Sequence, residues 1–100
     1  MENYSTEDLL QYLCQGILTL QTPEECKSFL EDLCTASELQ EMSRRLLAAR
    51  MLRANRIYTD IATETGLSTA TISRVNRCLK YGTDGYSTVL DRLERKARRG

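Results

Sequence analysis

Six side chains near the middle of this chain are of types that touch nucleic acid, and their spacing groups them. At about 100° per residue, Thr69, Ala70, Ser73, Arg74, Arg77 and Lys80 fall on one side of a helix. Ile72, Val75 and Leu79 form an apolar stripe on the other. Thr69 and Ala70, near the helix start, suit base edges: a methyl packs against thymine, and a hydroxyl donates or accepts. Arg77 and Lys80 suit neutralisation of phosphates. Ser68, with Thr71 in the same turn and the unpaired N–H groups there, suits a phosphate oxygen. The plainer alternative is a solvated polar face.

The elements that must position this face argue against the plainer alternative. Residues 58–79 read YTDIATETGLSTATISRVNRCL. Ile61 and Ala62 sit in a short amphipathic helix, 58–65. Gly66 follows where the chain turns sharply and is predicted to take a positive φ. Ser68 caps a second helix, 68–81. Ala62 is small where the second helix crosses. Two short helices joined this way form a helix-turn-helix, whose second helix enters the major groove.

Charge is distributed in keeping with that reading. Residues 1–42 hold nine acids and one base, and residues 43–100 hold thirteen bases and five acids. The basic part contains the motif, so one region is fit to approach phosphate and the other is repelled by it. The chain has no histidine, no glycine-rich phosphate loop and no nucleophile–base pair at a telling spacing, so an enzyme is the weakest reading. Cys14, Cys26, Cys34 and Cys78 lack C-x-x-C spacing, which disfavours a metal site. They read as small, buried, reduced side chains of a cytoplasmic protein. The longest uncharged run, 9–23, is interrupted by glutamines and is shorter than a bilayer span, so no membrane association is expected.

The remaining pattern is helical throughout, with one domain over 1–100: helices of a dimer core at 1–54, the reading head at 55–82 and a C-terminal helix at 83–100. A first helix is predicted over 5–20, with Ser5 as cap and Asp8 three residues on. Thr22-Pro23-Glu24-Glu25 opens a second helix, and Thr35-Ala36-Ser37-Glu38 opens a third, over 36–54. In the third, Leu39, Met42, Leu46 and Ala49 form one apolar face, while Leu47, Ala48, Met51 and Leu52 lie outside it. A helix apolar on more than one side needs more than one neighbour, and a partner chain is the natural supplier, the alternative being burial inside a monomer. Asn55 is predicted to end that helix in a left-handed conformation. Gly82-Thr83-Asp84-Gly85 is a turn cluster, followed by a last helix over 87–98. Its basic end, Arg95-Lys96-Ala97-Arg98-Arg99, reads either as a frayed terminus or as a phosphate-contacting arm.

Residues 35–80 resemble the tryptophan operon repressor family. Thr35-Ala36-Ser37-Glu38, Arg44-Arg45 and Gly66 to Lys80, with Ala70-Thr71-Ile72-Ser73-Arg74, carry the likeness. The resemblance implies an all-α fold of six helices per chain in an intertwined homodimer, with the fourth and fifth helices as the DNA-reading head of a bacterial regulator. It also implies an effector pocket. Arg45 and Arg74 match the two arginines that sandwich the indole of bound tryptophan, and Thr35 matches a position at the rim. Val75, however, stands where the family has glycine beside the indole, and Cys78 where a serine helps hold the amino group. Valine fills space that the ring needs, and a thiol is a weak hydrogen-bond partner. The chain therefore resembles a regulator branch whose effector, if it has one, is not L-tryptophan. No other cofactor is implied. Arg74 is equally suited to contact DNA, and Arg45 to pair with a carboxylate.

The sequence thus points to a sequence-specific regulator binding double-stranded DNA, a repressor acting as a dimer on a palindromic operator. The alternative is a helical protein–protein interaction module, with the motif kept for packing.

Overall fold

The computed structural model describes residues 3–99, and all six elements among them are helices: α1 (Thr6–Ile17), α2 (Pro23–Leu33), α3 (Ala36–Arg53), α4 (Tyr58–Thr65), α5 (Thr69–Tyr81) and α6 (Gly85–Arg99). The all-α expectation holds. Local chemistry sets most boundaries. At α1, Ser5 Oγ accepts the Asp8 N–H at 3.0 Å, and the Asp8 carboxylate accepts the Ser5 N–H at 3.2 Å. At α3, Thr35 and Glu38 make the same reciprocal pair, at 3.1 and 2.8 Å. At α2, Thr22 caps the Glu25 N–H at 3.1 Å, but the Glu25 carboxylate reaches one residue further, to the Gln21 N–H at 2.9 Å.

Two expected boundaries are corrected. α1 ends at Ile17 rather than near Leu20. The Thr19 hydroxyl donates to the Gly16 carbonyl at 2.6 Å, and the Thr19 and Leu20 N–H groups bond three residues back, so the last turn tightens out of the α-helical pattern. α6 begins at Gly85, two residues early, because Asp84 rather than a glycine takes the left-handed conformation of the turn, φ 66°. The end of α3 is as expected. Asn55 adopts φ 61°, its N–H bonds to the Leu52 carbonyl at 3.0 Å and the Arg56 N–H to that of Met51 at 3.1 Å. Those two bonds are a Schellman motif.

The chain forms two compact units, Met1–Leu39 and Gln40–Gly100. Among the described residues of the first, none is buried, and Leu9, Leu10, Tyr12, Ile17, Leu18 and Leu33 are exposed apolar side chains. Three cysteines lie there. Cys14 is exposed, Cys26 and Cys34 are half-buried, and Cys78 in the second unit is exposed. The expectation of buried thiols is therefore corrected: Cys14 and Cys26 ride on helices that bury nothing by themselves, and Cys34 caps the end of the second of these.

The second unit holds the core, in two clusters on either side of α3. Ala48 and Met51 pack with Ile61 of α4, Leu67 and Ile72 of α5. Ala49 packs with Val75 of α5 and Leu90 of α6. Ala48 and Ala49 are both 0% exposed although successive in sequence. Both apolar sides of α3 are thus partly covered by α4, α5 and α6 of the same chain, at Ala48, Ala49 and Met51, whereas Leu39, Leu46 and Leu47 are half-buried and Met42 is exposed. Arg53 of α3 closes this packing at the edge, pairing with Asp91 of α6 at 2.6 Å.

Candidate nucleic-acid interface

The turn that sets α5 against α4 depends on three residues. Gly66 takes φ 75° and its N–H bonds to the Ala62 carbonyl at 2.9 Å, the left-handed cap that the sequence predicted. Thr65, buried, donates its hydroxyl to the Ile61 carbonyl at 2.7 Å and accepts the Leu67 N–H at 3.2 Å. It bridges the end of α4 to the chain beyond the glycine. Sequence reading passed over Thr65; the signal was a hydroxyl directly before the turn glycine, where side chains often bond local backbone. Leu67 then anchors the turn in the first cluster.

Ser68 is the cap of α5, as expected. Its Oγ accepts the Thr71 N–H at 3.1 Å and donates to Thr71 Oγ1 at 3.0 Å. The hydroxyls of Ser68 and Thr71 therefore hold the first turn together, and Thr71 is half-buried. From there the helix divides as its periodicity requires. Ile72 and Val75 are buried and Leu79 half-buried, whereas Thr69, Ala70, Ser73, Arg74, Arg77 and Lys80 are exposed.

The side chains of that exposed row make no hydrogen bond or ion pair with the described residues. Its three cations also pair with no acid of α4 or α5. α5 carries no acid, and the two acids of α4, Asp60 and Glu64, both pair with the guanidinium of Arg56, at 3.8 Å for Asp60. What faces solvent is a row of short polar groups and cations on a helix seated by its opposite side. Such a row can approach a duplex with base-reading groups near the helix start and phosphate-neutralising groups further along.

The residues assigned to an effector pocket are only partly brought together. Arg45, Arg74, Val75 and Cys78 line one cavity of about 140 Å³, together with Thr71, Glu41 and Tyr86. Glu41 and Tyr86 were missed, since only folding brings α3 and α6 beside this stretch of α5. Thr35 lies in the N-terminal unit, where its hydroxyl caps α3. Val75 is 3% exposed and packs on Ala49 and Leu90, so its isopropyl group occupies the α3–α5 seam. The remaining cavity is well below the roughly 300–1,000 Å³ of sites that enclose small ligands.

Among the described residues no helix is long and apolar enough to cross a membrane.

Residues 8–94 match the family described as Trp repressor protein. An uncharacterized protein of Bacillus subtilis (strain 168), YerC, is 54% identical over 85 residues, which is 85% of this chain and 82% of that protein. The crystal structure of a TrpR-like protein from Eubacterium eligens ATCC 27750 superposes with a TM-score of 0.82 at 51% identity, covering 86% of this chain and 89% of that one. A Staphylococcus aureus crystal structure also gives 0.82, at 45% identity over 92% of this chain and 96% of that one.

Proposed function

The chain belongs to the Trp repressor family of DNA-binding regulators, and from that premise we propose that it is a repressor. It acts as a homodimer on a palindromic operator in the cytoplasm and blocks a promoter by occupying it. The observation that carries this reading is the exposed, unpaired row from Thr69 to Lys80 on a helix whose other side is seated in the core. Thr69 and Ala70 read base edges. Ser73, Arg74, Arg77 and Lys80 contact the backbone, and the first turn at Ser68 and Thr71 takes a phosphate.

The N-terminal unit supports a dimer. Two helices that bury no residue and expose Leu9, Leu10, Tyr12, Ile17 and Leu18 leave an apolar surface that a second copy covers. Two reading heads then lie about 34 Å apart, one turn of the duplex, and select a symmetric site. No small effector is needed, because Val75 fills the seam between α3 and α5 from within. Arg45 and Arg74 remain the two cations of the small cavity, whose lining also includes the Glu41 carboxylate.

Selection of bound duplexes from a random pool tests this. The expected result is an enriched two-fold symmetric sequence with half-sites one helical turn apart. Arg77→Ala weakens binding to every sequence, whereas Thr69→Val or Ala70→Ser changes the preferred one. A pool that yields no enriched sequence overturns the operator reading.

A further inference from the structure

The densest cationic surface of the second unit is not on α5. Arg92, Arg95, Lys96 and Arg99 stand at i, i+3, i+4 and i+7 along α6 and line a shallow cleft of about 250 Å³. At that spacing they share one side of the helix. The two acids of α6 are turned away from it. Asp91 is drawn to Arg53 of α3 at 2.6 Å, and Glu94 falls about 150° round the helix from the middle of the basic row. None of the four has an ion pair with a carboxylate among the described residues.

Like charges one turn apart destabilise a helix, so the row has a local cost that its own chain does not offset. Complementing the helix dipole accounts for Arg99 and Lys96, because that effect is confined to the last turn. It does not account for Arg92 and Arg95, which lie further in. The segment is helical through Arg99, so a frayed terminus does not describe it either.

A row of four cations is complementary to a regular row of anions. From Arg92 to Arg99 it runs roughly 10 Å along the axis at 1.5 Å per residue. That length passes about three phosphates of one strand, at 3.4 Å of rise each. Position agrees with charge: Leu90, two residues before Arg92, packs in one cluster with Val75 of α5, so the helix that carries the row is anchored beside the reading helix, and residues 91–99 beyond the anchor are all exposed.

We propose that the Arg92–Arg95–Lys96–Arg99 face of α6 is a second phosphate-contacting surface, which takes the backbone of DNA flanking the segment read by α5. The proposal rests on the DNA-binding reading above. It assigns α6 to affinity, whereas Thr69 and Ala70 carry sequence preference.

The test is a salt titration of duplex binding by the full chain, using a fluorescent mixed-sequence duplex. Each phosphate contact contributes about 0.9 to the slope of log K against log salt. The variant carrying Arg92→Gln, Arg95→Gln, Lys96→Gln and Arg99→Gln should lose about 3 to 4 of slope per protomer and bind at least tenfold more weakly, with its preferred sequence unchanged. The single substitutions, which read out the same quantity should the quadruple variant fold poorly, should each lose about 0.9. Lys27→Gln, which removes a charge from the N-terminal unit, should leave the slope as it is. A wild-type slope in the quadruple variant, alongside a reduced one in Arg77→Ala, overturns the α6 surface and leaves the DNA reading standing. Equal losses in Lys27→Gln overturn it as well, since net charge alone would then explain them. A parent chain without salt-dependent binding overturns both.

Discussion

Replacing Val75 with glycine should weaken the fold and open space for a planar ligand. Val75 is buried against Ala49 and Leu90, with Leu46, Leu52, Leu79 and Tyr86 packed around that cluster. Losing a buried valine forfeits about 1.5–3 kcal/mol of apolar transfer. Glycine inside a helix adds about 0.5–1 kcal/mol relative to alanine. The expected loss is therefore about 2–4 kcal/mol, set against a total of roughly 5–15 kcal/mol for a chain of this size. Thermal unfolding should fall by roughly 10–30 °C, at about 4–8 °C per kcal/mol. Val75→Ala loses packing without the helical glycine and should fall less. The excised isopropyl group adjoins the cavity lined by Arg45 and Arg74, so its space becomes available to a planar ring. L-Tryptophan at a hundredfold excess over its Kd would then restore about 2.7 kcal/mol. Calorimetric titration and melting with and without L-tryptophan, on both proteins, read this out. Micromolar binding by the native chain would refute the idea that Val75 occupies the ring's place. An unchanged melting temperature in Val75→Gly would refute its role as a brace.

Three further outcomes follow from the same geometry. Gly66→Ala should cost about 1–2 kcal/mol for conformation alone, because a Cβ there meets nothing within 4 Å; Gly82→Ala should cost more, since its Cβ would lie 2.5 Å from the Cys78 carbonyl oxygen and force the backbone to move, and urea midpoints in the opposite order would contradict this. Thr65→Val should cost about 1–3 kcal/mol by orphaning the Leu67 N–H, and hydrogen exchange at Leu67 should quicken; unchanged exchange would show that the bond at 3.2 Å carries nothing. The Thr35 backbone N–H, then its side chain, hold the Glu38 carboxyl below its usual titration range. Its contribution is thus present above the ordinary carboxylate pKa and is lost as pH falls through the lowered folded value; the melting advantage of native protein over Glu38→Gln should shrink in acid, and an advantage constant with pH would refute the assignment.

What the sequence made legible is what neighbours in sequence decide. Ser5 with Asp8, and Thr35 with Glu38, are complete within four residues, and both form as the residue types require. Gly66 and Asn55 announce left-handed caps through their own backbone preferences. The inward and outward sides of α5 follow from its period alone. Where local chemistry has two outlets, the reading slipped. Apolar spacing continues to Leu20, but the Thr19 hydroxyl takes the Gly16 carbonyl and tightens the end of α1. Nor could spacing reveal Glu41 and Tyr86, which reach the cavity only because α3 and α6 flank α5.

The case of α3 shows what a helix apolar on two sides implies for its neighbours. Its apolar residues point two ways, and at Ala49 the second side is covered by Val75 and Leu90 of the same chain. α5 is consequently held at two points three residues apart, Ile72 against the side of Ala48 and Val75 against that of Ala49. Swinging α5 off α3 would expose both, at about 1.5–3 kcal/mol each. Even the lower total, about 3 kcal/mol, leaves the open arrangement populated at about one part in a hundred. A head already closed to that degree has little left for a ligand to stabilise, because a ligand shifts an equilibrium only by its differential affinity for the two states. The closed seam between α3 and α5 and the small cavity beside Val75 are therefore two consequences of the same side chain.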